Sequence, residues 1–229
     1  MGNFKWSWRW ALLLTLLAIL SLYACFQRFC SIKDKNPFIG ESLDIPRWHG
    51  IVLGETSKEG VLEILRSSPY VRRASILTMS DERLDGTIIE LVRWDNRVLS
   101  LIPSTYAPNN EIRIIEDKVR EIRIHMEYDV TIEQIIALVG EPKKVEREIT
   151  HNLQGGRYSA FYLLFSSQGL IVDGVATLDG LITPNSRVIR VYYFEPASLD
   201  ESNNTIESLP HWDLSDMEDW TGYDSTQIP

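Results

Sequence analysis

A capped amphipathic helix pattern occurs twice in this 229-residue sequence, 74 positions apart, and strand-like segments follow it each time. In the first copy Thr56 and Ser57 precede Val61, Leu62, Ile64 and Leu65, and Pro69 forces an exit. Either hydroxyl can cap, and Thr56 with Glu59 fits a capping box. In the second, Thr131 caps with Gln134 three residues on, and Ile132, Ile135, Ile136 and Val139 form a helical stripe. Gly140 and Pro142 stop it. Matching Ser57 to Thr131 aligns Glu59 with Glu133, Val61 with Ile135 and Leu65 with Val139. Farther on, residues 118–124 match 187–193 at an offset of 69. Order and spacing agree as well as composition, which argues for tandem duplication.

Alternation and β-branched content place strands at 71–78, 87–94, 98–102, 112–115 and 119–126, then at 144–149, 158–165, 170–172, 175–178 and 188–194. Glu116 to Lys118 reads as a hairpin turn, and Asp173-Gly174 and Asp179-Gly180 as tight turns. A helix followed by sequential strands is an α+β pattern, with the helix covering one sheet face.

The N-terminus differs from all of this. Residues 10–26 run from Trp10 to Phe26 and are apolar from Ala11 onward without a charge, at the short end of what spans a bilayer. Trp6, Trp8 and Trp10 suit the headgroup level, with Lys5 and Arg9 on the cytoplasmic side. Three readings stand: an uncleaved signal-anchor, a lipoprotein signal ending at Cys25, and a cleaved signal peptide. Leu22, Ala24 and Cys25 resemble a lipobox, from which Tyr23 departs. The expected placement is a single pass in the cell membrane with an extracytoplasmic C-terminal domain. Residues 31–229 hold no cysteine, which permits an oxidising compartment.

The expected organisation is an anchor at 1–30, a linker at 31–47, helix-plus-sheet units at 48–126 and 127–196, and an acidic aromatic tail at 197–229. The fold class is therefore α+β: an N-terminal transmembrane helix, then two repeated units, each a short capped helix plus an antiparallel β-sheet. Residues 131–142, and more loosely 53–65, resemble the opening helix of small outer-membrane assembly lipoproteins of the BamE-like type. A tandem pair of such units is similar in arrangement to the β-lactamase inhibitor protein fold. The likeness covers the start of each unit well and the strands only generically. It implies an envelope-facing binding module that uses its sheet as a protein-binding surface, and it implies no catalytic residue.

Charge narrows the partners. Net charge is -9, and residues 1–30 hold Lys5, Arg9 and Arg28 with no acid, which leaves 20 of the 23 bases against all 32 acids. Such a balance argues against a nucleic-acid groove. His49, His125, His151 and His211 are too scattered for a local metal motif, so neither a metal nor another cofactor is expected. No nucleophile elbow, phosphate loop or dinucleotide fingerprint is present. Glu59 and Glu133 read as helix-dipole partners rather than an acid–base pair.

The tail is the unusual segment. Trp212, Leu214, Met217, Trp220 and Tyr223 interleave with acids, and 197–229 contains no Lys or Arg. They are the candidate partner-binding residues, since aromatic anchors dominate interfaces. The competing reading folds the tail back over the chain's own sheet. Cys25 is the candidate lipidation site. The leading expectation is a membrane-anchored extracytoplasmic adaptor or sensor that binds another envelope protein without catalysis. The alternative is a binding module for an envelope small molecule or carbohydrate, with Trp94, Tyr158, Tyr162, Tyr192 and Tyr193 as aromatic platforms.

Overall fold

The computed structural model describes residues 47–83, 86–96, 110–126, 130–151, 157–177, 180–200, 203, 205–206 and 214–224. A short ribbon, β1 (Arg47–Trp48) and β2 (Ile51–Val52), leads into helix α1 (Lys58–Ser67). Ser57 caps α1, its hydroxyl accepting from the Gly60 amide at 3.3 Å. Four strands follow as an antiparallel meander: β3 (Leu77–Glu82), β4 (Ile88–Trp94), β5 (Asn110–Ile115) and β6 (Lys118–His125). Glu116 and Asp117 close the β5–β6 hairpin with φ of 51° and 56°, the left-handed values that a tight hairpin requires.

Helix α2 (Ile132–Val139) opens on a full capping box. The Gln134 amide donates to Thr131 Oγ1 at 3.4 Å, and the Thr131 amide donates to Gln134 Oε1 at 3.1 Å. A second meander follows: β7 (Lys144–His151), β8 (Arg157–Phe165), β9 (Leu170–Val175) and β10 (Arg187–Phe194). The two meanders meet along their last strands. Arg190 to Phe194 of β10 pairs antiparallel with Glu121 to His125 of β6.

That seam corrects the expected fold class. The described residues form one nine-stranded antiparallel sheet rather than a sheet for each unit, ordered β7-β8-β9-β10-β6-β5-β4-β3 with the two-residue strand Glu218–Asp219 added beside β7. Among the described residues two α-helices, of ten and eight residues, accompany it. The physical reason lies in β6 and β10, whose backbone groups would be left unpaired at two edges if each meander stood alone. The expected transmembrane helix has no counterpart among the described residues. Among the described residues no helix is long and apolar enough to cross a membrane, and the apolar stretch 10–26 lies outside them.

Local details differ too. The strand expected at 71–78 starts six residues later, because Arg73–Ser75 forms a 3-10 turn and Val71 makes only a bridge to Asn96. Gly174, expected in a turn, lies inside β9. The segment 98–102 lies outside the described residues.

Side chains alternate across the sheet, so it has two distinct faces. One carries Val92, Trp94, Ile112, Ile122, Val191 and Tyr193, all buried. Lys58, the first residue of α1, pairs with Glu90 on this face, and α1 turns Val61 and Leu65 inward. The other face carries Leu77, Met79, Arg93, Glu111, Arg123, Tyr192 and Asp173.

Over β8 to β10 the chain's own tail covers that second face. After β10 come β11 (Leu199–Asp200) and β12 (Thr205–Ile206), which pair with each other, and later β13 (Glu218–Asp219), which pairs with Val145 and Lys144 of β7. Leu214, Met217 and Ile206 are buried in one cluster with Leu164, Ile171, Tyr192 and Phe194.

Candidate binding face

The face left by the tail over β4, β5 and β6 is built from charges. Alternation brings Arg93, Glu111 and Arg123 side by side on three adjacent strands. Glu111 is 4% exposed at its side chain and accepts from Arg93 Nε, while Arg123 Nη2 lies 3.3 Å from the same oxygen. One pair along, Arg113 Nη1 lies 3.2 Å from Glu121 Oε2. The carboxylates sit beneath and the three arginines are partly exposed above them. The surface of this patch is thus basic in a chain of net charge -9.

Burial pushes the Glu121 carboxyl up to about 7; Arg113 opposes the rise, Glu111 adds to it and Arg123 opposes it. Near neutral pH Glu121 is therefore partly protonated, and the patch carries three guanidinium charges against Glu111 and a fraction of Glu121. The same array continues across the seam. Arg190 Nε donates to Asp173 Oδ2 at 2.6 Å, and burial raises the Asp173 carboxyl against the pull of Arg190. His125 is held low first by burial, then by Arg190, Arg187 and Arg123.

A cleft of about 380 Å³ opens at one end of this patch, lined by Arg83, Thr87, Ile115, Arg120, Glu195 and Ser198, among others. Arg120 Nη1 lies 3.6 Å from Glu195 Oε2, so one wall is an ion pair.

The structure places the tail residues differently from a free interaction motif. Leu214 and Met217 are buried against the sheet. Trp220 is half-buried, and its Nε1–H donates to Glu141 Oε2 at 2.6 Å. Tyr223 meets Trp220 edge to face, with ring centroids 5.7 Å apart. Asp224 accepts from the Ile182 amide at 2.7 Å and from Arg147 Nη2 at 2.9 Å. Trp212 and Cys25 lie outside the described residues. Four of the five tail residues thus have partners inside the chain.

Of the aromatic platforms, Trp94 and Tyr193 are fully buried and Tyr192 nearly so. Tyr162 is half-buried, its hydroxyl 3.5 Å from Glu148 Oε2. The side chain of Tyr158 lies outside the described residues. His49 stacks on Tyr70 at 5.8 Å, and among the described residues no group of histidines, cysteines or acids is placed to hold a metal ion.

Arg93, Glu111, Arg113, Glu121, Arg123, Asp173 and Arg190 were not legible as a site in the sequence. One signal existed: Glu111 and Arg113, then Glu121 and Arg123, each alternate with isoleucine or valine, the mark of a charged face opposite an apolar one. No family model, curated protein or solved structure matches this chain.

Proposed function

We propose that this chain is a non-catalytic protein-binding module, an adaptor of the cell envelope that receives an acidic protein partner on the open sheet face over β4 to β6. The observation that carries this reading is the arginine lattice of Arg93, Arg113 and Arg123. Buried carboxylates hold it, its guanidinium groups remain partly exposed, and the described residues of the tail pack over the neighbouring strands instead. Pre-ordered guanidinium groups bind carboxylates at low entropic cost. An adaptor needs a fixed surface rather than reactive groups, and the resemblance to BamE-like units points the same way. The envelope as the meeting place rests on that resemblance, and the lack of cysteine in residues 31–229 permits an oxidising compartment.

A photo-reactive residue at Leu91, on the open face, tests the reading against one at Glu63 on the outside of α1. The expected result in native cells is a protein adduct from position 91 alone, lost on adding Arg93→Glu and Arg123→Glu. Adducts of equal yield from both positions, or an adduct indifferent to the charge reversals, would overturn it.

The cleft beside Arg83 and Arg120 favours a second reading, an acidic small ligand or carbohydrate held by those arginines with Thr87 and Ser198. A thermal shift produced by uronic acids and abolished by Arg120→Ala, with no adduct from position 91, would favour that reading instead.

A further inference from the structure

The two edges of the sheet are treated differently. At one edge Lys144 and Val145, the first two residues of β7, pair with β13 of the chain's own tail. Among the described residues edge strand β3 pairs only with β4, and all six of its residues are exposed. The Arg83 amide donates to the Thr87 carbonyl across the β3–β4 turn, which fixes the parity of the ladder. Thr78, Ser80 and Glu82 therefore aim their backbone amides and carbonyls outward. Among the described residues nothing bonds to those groups.

The side chains on this edge are patterned. Leu77 and Met79, 49% and 50% exposed, stand together on the open face, where an ordinary edge strand carries charge. Arg72 and Arg73 precede the strand, and Asp81 and Glu82 end it. All four are exposed, and among the described residues none joins an ion pair. Arg83, the next charge, turns into the cleft described above.

This edge is complementary to itself. A second β3 laid antiparallel brings Arg73, in the turn before the strand of one copy, within one position of the residue opposite Glu82 of the other, twice, once on each side of a two-fold axis. With Thr78 near the axis, Leu77 of each copy faces Met79 of the other as a non-hydrogen-bonded pair, the closest cross-strand arrangement. Parity is satisfied, since the outward backbone groups of Thr78 then exchange hydrogen bonds across the axis. A two-fold interface demands such self-complementarity.

We propose that β3 pairs antiparallel with β3 of a second copy of this chain, joining two nine-stranded sheets into one continuous sheet across a two-fold axis. The strand is short, about 20 Å, so association is concentration-dependent rather than permanent. The proposal does not depend on the acidic partner of the open face, which lies inward on β4 to β6.

Sedimentation velocity of the full chain over a concentration series is the test. Wild type is expected to pass from monomer to dimer. Arg72→Glu with Arg73→Glu makes both ends of the edge acidic, and Asp81→Lys with Glu82→Lys makes both basic. Each variant alone is expected to lose self-association by at least about tenfold, through like-charge contact. An equimolar mixture is expected to form heterodimers at wild-type strength, which also shows that both variants are folded. A wild type that stays monomeric overturns the proposal. So does either double variant dimerising like wild type, or a mixture that fails to associate. A different protein cross-linking at Met79 of a monomeric chain also overturns it.

Discussion

Glu121 shows how one buried residue ties the binding face to stability. Its carboxyl is pushed up to about 7 by burial, against an ordinary value of 4.5. The folded protein therefore keeps a proton that the unfolded chain releases. This contribution is complete below about pH 4.5 and is lost as pH rises to about 7. At about 1.4 kcal/mol per unit it amounts to a few kcal/mol at most. Glu121→Gln keeps a neutral group there, so the stability of the variant relative to wild type is expected to rise between pH 5 and pH 8 in urea denaturation. A difference that stays constant would show that the carboxyl is not titrating near 7 in the folded protein. His125, held low, works in the opposite direction as pH falls below 6.5, and it cancels in the comparison because both proteins carry it. Gly174 is constrained by space. A Cβ there would lie 2.1 Å from Phe161 Cζ and 2.6 Å from the Arg187 carbonyl. Gly174→Ala is expected to destabilise by about 1–3 kcal/mol through overpacking, read as a fall in denaturation midpoint. In the sequence this glycine has the spacing of a turn, and only the ring across the strand pair explains it.

The tail is the element for which the sequence left two readings open, a partner-binding motif and a segment folded back over the chain's own sheet, and its described residues take the second. Its alternation of acids and large apolar groups is also the pattern of an extended segment docked on a surface. The surface is the chain's own sheet: Met217 and Leu214 enter the cluster with Phe194 and Tyr192, and Glu218 and Asp219 pair with β7. Leu214→Ala with Met217→Ala is expected to destabilise by several kcal/mol in total, at about 2–5 kcal/mol per buried side chain. Binding of a hydrophobic dye and faster proteolysis near residue 206 would check it. Unchanged stability would mean that the tail is dispensable and free to engage a partner. The helices, in contrast, were legible. Thr131 caps with Gln134 as expected, and of the two hydroxyls open at the first helix Ser57 takes the cap while Thr56 accepts from the Val52 amide; a cap depends on residues within one turn.

At the scale of the molecule, the seam between β6 and β10 makes two meanders one sheet. It joins residues about 70 positions apart, Ile124 with Val191 and Ile122 with Tyr193, and all four side chains are buried. Separating the halves exposes those side chains and two strand edges. Residues 47–126 expressed alone are therefore expected to remain unfolded by circular dichroism, while the full chain unfolds in a single transition for the sheet. Independent folding of the first half would show that the seam is an interface between domains.

Periodicity, caps and turn residues are local, and from them the sequence by itself determined the two helices and most strand segments. It also determined the charge alternation of Glu111, Arg113, Glu121 and Arg123. Pairing is not local. Which strands neighbour which, that β7 is covered while β3 is bare, that Arg93 and Arg123 converge on one buried glutamate, and that the acidic tail turns inward were decided only in the tertiary structure. Each depends on contacts between residues far apart in the chain, and their free energy appears only once the whole sheet has closed around them.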